Sequence, residues 1–391
     1  MEGPAQPVRS AARPDGGQGA GHPERAGPVT RSAYRAEGRA IGERCLAALR
    51  DAGAEQVDAD ILQPASVLLD LYGEDIRGRA YVTADPLRGE QMLRPDFTVP
   101  IVRRHMENGA EPARYTYLGA VFRQQDFDES RATESLQVGY ELFDRDTPSA
   151  DAEVFATIAG LLGDAPLRAA TGDIGILRAA VLGLNTTERR KAALLRHLWR
   201  PRRFRQLLDR FGGRSPVPAA RAALLEQADP MADLPPVMGL RSESEIAIRV
   251  AALKEDAAAD PISTTELDLI DALLALSETC PNVLVALRDL SVDLPAIGAA
   301  VDGLSARLDA LGARGVDVDA LPFEGSYGRT SMEYYDGFVF GFYAESRPDL
   351  PPVATGGRYD ALTAVLGGGT GVPAVGGVIR PEVLAELEAG A

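Results

Sequence analysis

Strand-type patterning falls into two blocks separated by a long helical stretch, and this break constrains the fold more than any other feature. Short apolar clusters or alternations at 56–62, 79–83, Tyr115–Phe122 and Gln137–Phe143 form the first block; 334–343 and 374–379 form the second. From 166 to 320 the chain is rich in Ala, Leu and Arg and reads as helices almost throughout, broken by Pro216, Pro218, Pro230 and the pair Pro235-Pro236. A doubly wound parallel sheet would alternate strand and helix regularly. The expected class is therefore α+β, with one antiparallel sheet flanked by helices and interrupted by a helical insertion. The expected organisation is a disordered tail over 1–31, a core made of 32–165 and 321–391, and an insertion over 166–320.

The tail reading rests on composition, since residues 1–31 hold many Gly and Pro and almost no large apolar side chain. Ordering them would cost entropy without burying much surface. Ile41, Cys45, Leu46 and Leu49 recur at helical spacing over 35–51, and Gly53 supplies a stop. Val154, Phe155, Ile158 and Leu161 share one face of a second helix over 151–162, while Phe338, Phe340 and Phe342 share one side of a strand.

Charge and composition exclude several function classes. With 41 basic and 57 acidic residues the net charge is −16, which opposes indiscriminate binding to nucleic acid or anionic membranes. Cys45 and Cys280 make no CxxC pair, so neither a disulfide framework nor a zinc knuckle is expected. No apolar run approaches the ~20 residues of a membrane span, and the first thirty residues lack the apolar stretch of a secretory signal. A cytoplasmic setting is expected. His22, His105 and His197 are too scattered for a metal site or a Ser-His-Asp constellation. Gly369 to Ala374 fits G-x-G-x-x-A formally but reads as a turn, because Pro373 and the run Val375 to Ile379 suit a strand. No cofactor or metal is expected. The basic stretch from Arg189 to Arg205 reads as a solvated face, with a partner surface as the alternative.

The chemistry-bearing residues centre on Phe122-Arg123 and Gln137-Val138-Gly139-Tyr140-Glu141. Gln137, Gly139 and Glu141 share one side of a strand, and the missing side chain at Gly139 would leave room for a ligand. Two readings fit: an Arg–Glu pair bracing a sheet, or a pocket offering a guanidinium to a carboxylate and acceptors to an ammonium or ring N–H. Three further clusters tilt the balance to the pocket: Arg94-Pro95-Asp96-Phe97-Thr98, Glu333-Tyr334-Tyr335, and Gly356-Gly357-Arg358-Tyr359-Asp360. In chain order these motifs resemble the class II aminoacyl-tRNA synthetase fold and, within it, the histidyl-tRNA synthetase branch, over about 35–387.

Departures from the synthetase pattern carry as much information. The adenine-facing glutamate falls at Gln125, the second arginine of that loop at Thr133, and the arginine before the double tyrosine at Thr330, with Arg329 adjacent as a possible substitute. Val383 stands where the last arginine of the third motif belongs. Activating an amino acid needs cations on a transferring phosphate. Only 11 residues follow Arg380, so an anticodon-binding domain is not expected. This combination is similar to the regulatory subunits of ATP phosphoribosyltransferase, whose catalytic chain is a separate short polypeptide.

The resemblance implies a dimer, a short catalytic subunit as partner, L-histidine as effector, and no nucleic acid or membrane as partner. It also implies residue roles. Asp96, Thr98 and Gln137 would hold the ligand's α-ammonium group, Arg123 would lie near its carboxylate, and Glu141 with Tyr335 would read the imidazole; one of Tyr334 and Tyr335 would merely pack. The alternatives are a synthetase fragment that still activates histidine, and a scaffold that has lost ligand binding.

Overall fold

The computed structural model describes residues 32–72, 78–124, 132–232, 239, 241–329 and 334–390. The expected tail over 1–31, and Gln125 and Thr330, lie outside these. Twelve strands occur among the described residues: β1 (Glu55–Gln56), β2 (Leu62–Pro64), β3 (Val82–Asp85), β4 (Gly89–Leu93), β5 (Ala113–Phe122), β6 (Glu134–Phe143), β7 (Leu167–Asp173), β8 (Ser277–Thr279), β9 (Pro322–Glu324), β10 (Phe338–Ala344), β11 (Ala354–Arg358) and β12 (Ala374–Ile379). Nine form one sheet in the order β1-β5-β6-β12-β11-β10-β7-β9-β8, and β2-β4-β3 form a small second sheet.

The α+β class holds, and the two sequence blocks do meet: β12 pairs antiparallel with β6, joining residues 374–379 to 138–143. Three details correct the sequence reading. The sheet is mixed, because β1 runs parallel to β5 and β7 parallel to β9. The stretches 56–62 and 79–83 do not join it as a single antiparallel set; β2, β3 and β4 pair among themselves. A period of two identifies a strand but not its partner. Residues Leu167–Asp173, read as the start of the helical stretch, form a strand beside β10.

The two faces of the sheet are chemically distinct. On one, Phe338, Phe340 and Phe342 project toward the helix Thr147–Leu162, where Phe155 lies 5.3 Å from Phe340 and from Phe342, centroid to centroid. All four are buried, each worth about 1.5–3 kcal/mol on transfer from water. Helix Ser32–Asp51 buries Ile41, Cys45 and Leu49 and packs on β5, β6 and the helix Pro381–Ala389. The opposite face carries the polar residues Gln137, Glu141 and Thr355, which line a cavity.

The insertion is a cluster of helices whose small core includes Leu194, Phe204, Leu207, Phe211, Leu267 and Ile270. Much of its basic stretch is paired: Arg190 with Asp256 at 2.7 Å, Arg189 with Glu255 at 3.2 Å and Arg205 with Asp271 at 2.6 Å. Two contacts tie the insertion to the core, one of them at the cavity residue Tyr335. Trp199 Nε1 donates to the Tyr335 carbonyl at 3.3 Å, and Arg329 Nε donates to the Leu198 carbonyl at 2.8 Å.

Candidate functional site

The cavity has a volume of about 340 Å³, and all seven residues singled out in the sequence line it: Asp96, Thr98, Arg123, Gln137, Glu141, Tyr334 and Tyr335. They come from four separate parts of the chain. Asp96 and Thr98 stand at the start of the helix Thr98–Asn108, Arg123 just beyond β5, Gln137 and Glu141 on β6, and the tyrosines on the approach to β10.

Glu141 is the chemical centre. It is 1% exposed and accepts from three hydroxyls: Thr98 Oγ1 at 3.0 Å and Tyr117 OH at 3.3 Å on Oε1, and Tyr359 OH at 2.5 Å on Oε2. Burial pushes its carboxyl up to about 7; the three hydroxyl donors pull the other way, and nearby Asp96 adds to the rise. Burial likewise holds the phenols of Tyr117, Tyr335 and Tyr359 well above their ordinary range, so they remain protonated donors. A carboxylate placed so deep has no cation on it among the described residues, and the three hydroxyls are its hydrogen-bond donors there.

The room for this carboxylate comes from the opposite strand. Gly376 of β12 is the register partner of Glu141, and a Cβ there would stand 1.6 Å from Glu141 Oε2. Gly376→Ala is expected to cost about 1–3 kcal/mol through overpacking and to displace the carboxylate. Chemical unfolding would show the loss; an unchanged midpoint would mean that Glu141 is not seated against β12. Gly139 is a correction to the sequence reading. A Cβ there would meet the Tyr117 ring at 2.1 Å, so the missing side chain makes room for Tyr117, not for a ligand.

Further polar groups surround this centre. Gln137 is 1% exposed, and its Oε1 has no partner among the described residues. Asp96 is buried, with Oδ1 accepting from the Val99 amide at 3.3 Å. Arg123 donates through Nε to the Pro95 carbonyl at 2.8 Å. Thr98 spends its hydroxyl on Glu141, so it belongs with the carboxylate it steadies. Tyr335 is buried, with its ring over Gly357, and Tyr334 stands edge-on to Tyr335 and Tyr359 at 5.0 and 6.1 Å.

Of the positions that depart from the synthetase pattern, Thr133 and Val383 lie among the described residues and line the cavity, Val383 being buried. Arg329 turns away from it: the side chain is buried against the insertion, 4.7 Å from the Phe204 ring centroid. Sequence reasoning did not select Tyr117, Tyr359 or Arg380, all of which lie at this site. Only Tyr359 carried a usable signal, as part of the Gly356 to Asp360 cluster. Among the described residues no cluster of His, Cys, Asp or Glu suits a metal ion, and no helix is long and apolar enough to cross a membrane.

Comparison with known proteins bears on the family and the fold. A sequence profile of the family described as histidyl-tRNA synthetase matches residues 33–234 and 246–384. ATP phosphoribosyltransferase regulatory subunits of Brucella canis and Brucella ovis are each 32% identical to the chain over 345 residues, spanning 83% of it and 90% of their own length. A Bacillus halodurans structure described as an ATP phosphoribosyltransferase regulatory subunit/histidyl-tRNA synthetase shares the fold. It has a TM-score of 0.63 at 20% identity, over 90% of this chain and 79% of that one. A histidine–tRNA ligase subunit of Alicyclobacillus acidocaldarius gives a TM-score of 0.56 at 25% identity, over 98% and 99% of the two chains. With its class II synthetase-like sheet and this degree of likeness, the chain belongs to the ATP phosphoribosyltransferase regulatory subunit family.

Proposed function

We propose that this chain serves histidine biosynthesis as the non-catalytic regulatory subunit of ATP phosphoribosyltransferase, activating a short catalytic subunit and conveying feedback inhibition by L-histidine. The observation that carries the ligand is Glu141: a buried carboxylate steadied by three hydroxyls, in a cavity within the ~300–1,000 Å³ range of small-molecule sites. An imidazole N–H supplies the missing donor. Gln137 Oε1 and Asp96 offer acceptors to the α-ammonium group, Arg123 faces the carboxylate, and Tyr334 and Tyr335 wall the ring. The chain acts as a homodimer in the cytoplasm, with the catalytic subunit as partner and without nucleic acid, membrane or cofactor.

Histidine would act by favouring one arrangement of the assembly, and a coupling of ~1–3 kcal/mol suffices for such control. The contact of Trp199 with the cavity residue Tyr335 gives the insertion a route to sense occupancy. Loss of adenylating chemistry is supported by Val383 in the cavity wall and by Arg329 turned into the insertion. The test mixes the purified chain with a short catalytic subunit and follows phosphoribosyl-ATP formation. Activity should rise on mixing and fall with added histidine. Activity and histidine sensitivity that ignore the chain would refute the proposal, and histidine-dependent ATP–pyrophosphate exchange by the chain alone would favour a synthetase fragment instead.

A further inference from the structure

We propose that Arg380 and Arg123 form a two-guanidinium clamp for the α-carboxylate of the bound amino acid. The proposal rests on reading the cavity as an amino-acid receptor and adds a residue that the sequence motifs did not mark.

Both arginines line the cavity, and neither forms an ion pair with a carboxylate among the described residues. Each is braced through neutral groups. Arg123 Nε donates to the Pro95 carbonyl at 2.8 Å, while Arg380 Nη1 donates to the Pro352 carbonyl at 2.8 Å and Nη2 to Thr355 Oγ1 at 3.1 Å. A guanidinium has five N–H donors, so each keeps donors for a ligand while its plane is held. The acids along the same wall are engaged elsewhere. Asp349 and Glu386 pair with Arg347 at 2.7 and 3.1 Å, and Glu382 accepts from the Leu136 amide at 3.2 Å. Two cations facing one cavity repel each other unless an anion sits between them. Burial above all, with the repulsion from Arg123 after it, brings the Arg380 guanidinium down to about 10, so it is still charged at neutral pH. Glu141 and the clamp thus ask for opposite charges on one molecule: N–H donors on the Glu141 side and an anion on the arginine side, which is the polarity of an amino acid.

The test compares L-histidine with L-histidinol, which keeps the imidazole and ammonium groups but carries a hydroxymethyl group in place of the carboxylate. Calorimetry on the wild-type full chain should show histidine preferred. Arg380→Gln should weaken histidine about 10- to 100-fold, as expected for lost hydrogen bonds to a charged group, and leave histidinol within about threefold, so the preference collapses. Arg380→Lys, which keeps the charge without the fork, should retain part of that preference and also covers poor folding of the Gln variant. An unchanged histidine-to-histidinol ratio in both variants would overturn the clamp while leaving the receptor reading intact. If the wild-type chain binds neither compound, the receptor reading falls and the clamp falls with it.

Discussion

Glu141→Gln should weaken histidine binding about 100-fold and yet leave the empty protein more stable than the wild type above neutral pH. The loss of affinity would follow from removing the charged acceptor proposed for the ligand N–H, since hydrogen bonds to charged groups are worth roughly 1.5–3 kcal/mol. The gain in stability follows from the raised carboxyl, which titrates near 7 in the folded chain against an ordinary 4.5. Below about pH 4.5 the group is protonated in both folded and unfolded states and costs nothing. As pH rises toward 7 the unfolded chain ionises first, so the wild type loses stability, and above 7 the full penalty of about 3 kcal/mol is in force. The amide carries no charge at any of these values and nearly preserves the shape. Unfolding midpoints of variant and wild type should coincide near pH 4 and separate by pH 8 in the variant's favour. Wild-type affinity for histidine in the variant, or an advantage that failed to grow with pH, would show that Glu141 is not the buried anion at the heart of the site.

The fold and the site were legible in the sequence to different depths, for reasons that particular residues make plain. Phe338, Phe340 and Phe342 announce a strand with one buried face, and the structure sets them on Phe155. Gln137 and Glu141 sit on one face of β6 because a two-residue period puts them there, whatever the rest of the chain does. Residues Leu167–Asp173 gave no such signal: after Leu167 the strand is built from Arg, Ala, Thr, Gly and Asp, and its place beside β10 follows from pairing with a distant segment. Distant pairing also sets the places of Tyr117, Tyr359 and Gly376. Their relation to Glu141 depends on the register of β5, β6, β11 and β12, which local periodicity does not encode. Arg329 shows the limit from the other side, since adjacency in sequence to a lost arginine did not bring its side chain into the cavity.

Arg307→Leu is the second change with a large expected effect, a loss of about 3–5 kcal/mol from breaking a buried ion-pair chain. Arg307 lies on the helix Gly298–Ala313, is 5% exposed, and reaches Asp173 at 2.6 Å and Asp151 at 3.1 Å. Asp151 is also held by Arg358 at 2.7 Å, so it keeps a cation when Arg307 is lost. Asp173 does not. Its other carboxylate oxygen accepts from the Gly175 amide at 2.8 Å, and burial already pushes its carboxyl up while Arg307 pulls it down. In the leucine variant Asp173 must either stay ionised without a counter-ion or take up a proton. The destabilisation should therefore be greatest at alkaline pH and shrink as the pH falls and Asp173 protonates. Adding Asp173→Asn should restore much of the loss, because the amide still accepts from Gly175 and no longer needs a cation. A leucine variant as stable as the wild type at pH 8, or a double variant no better than the single one, would show that this chain of charges does not fasten the helix to the sheet. If it does fasten it, the same two residues fix where the chain leaves β7 to enter the insertion, and the helices that reach the rim of the pocket inherit their position from that anchor.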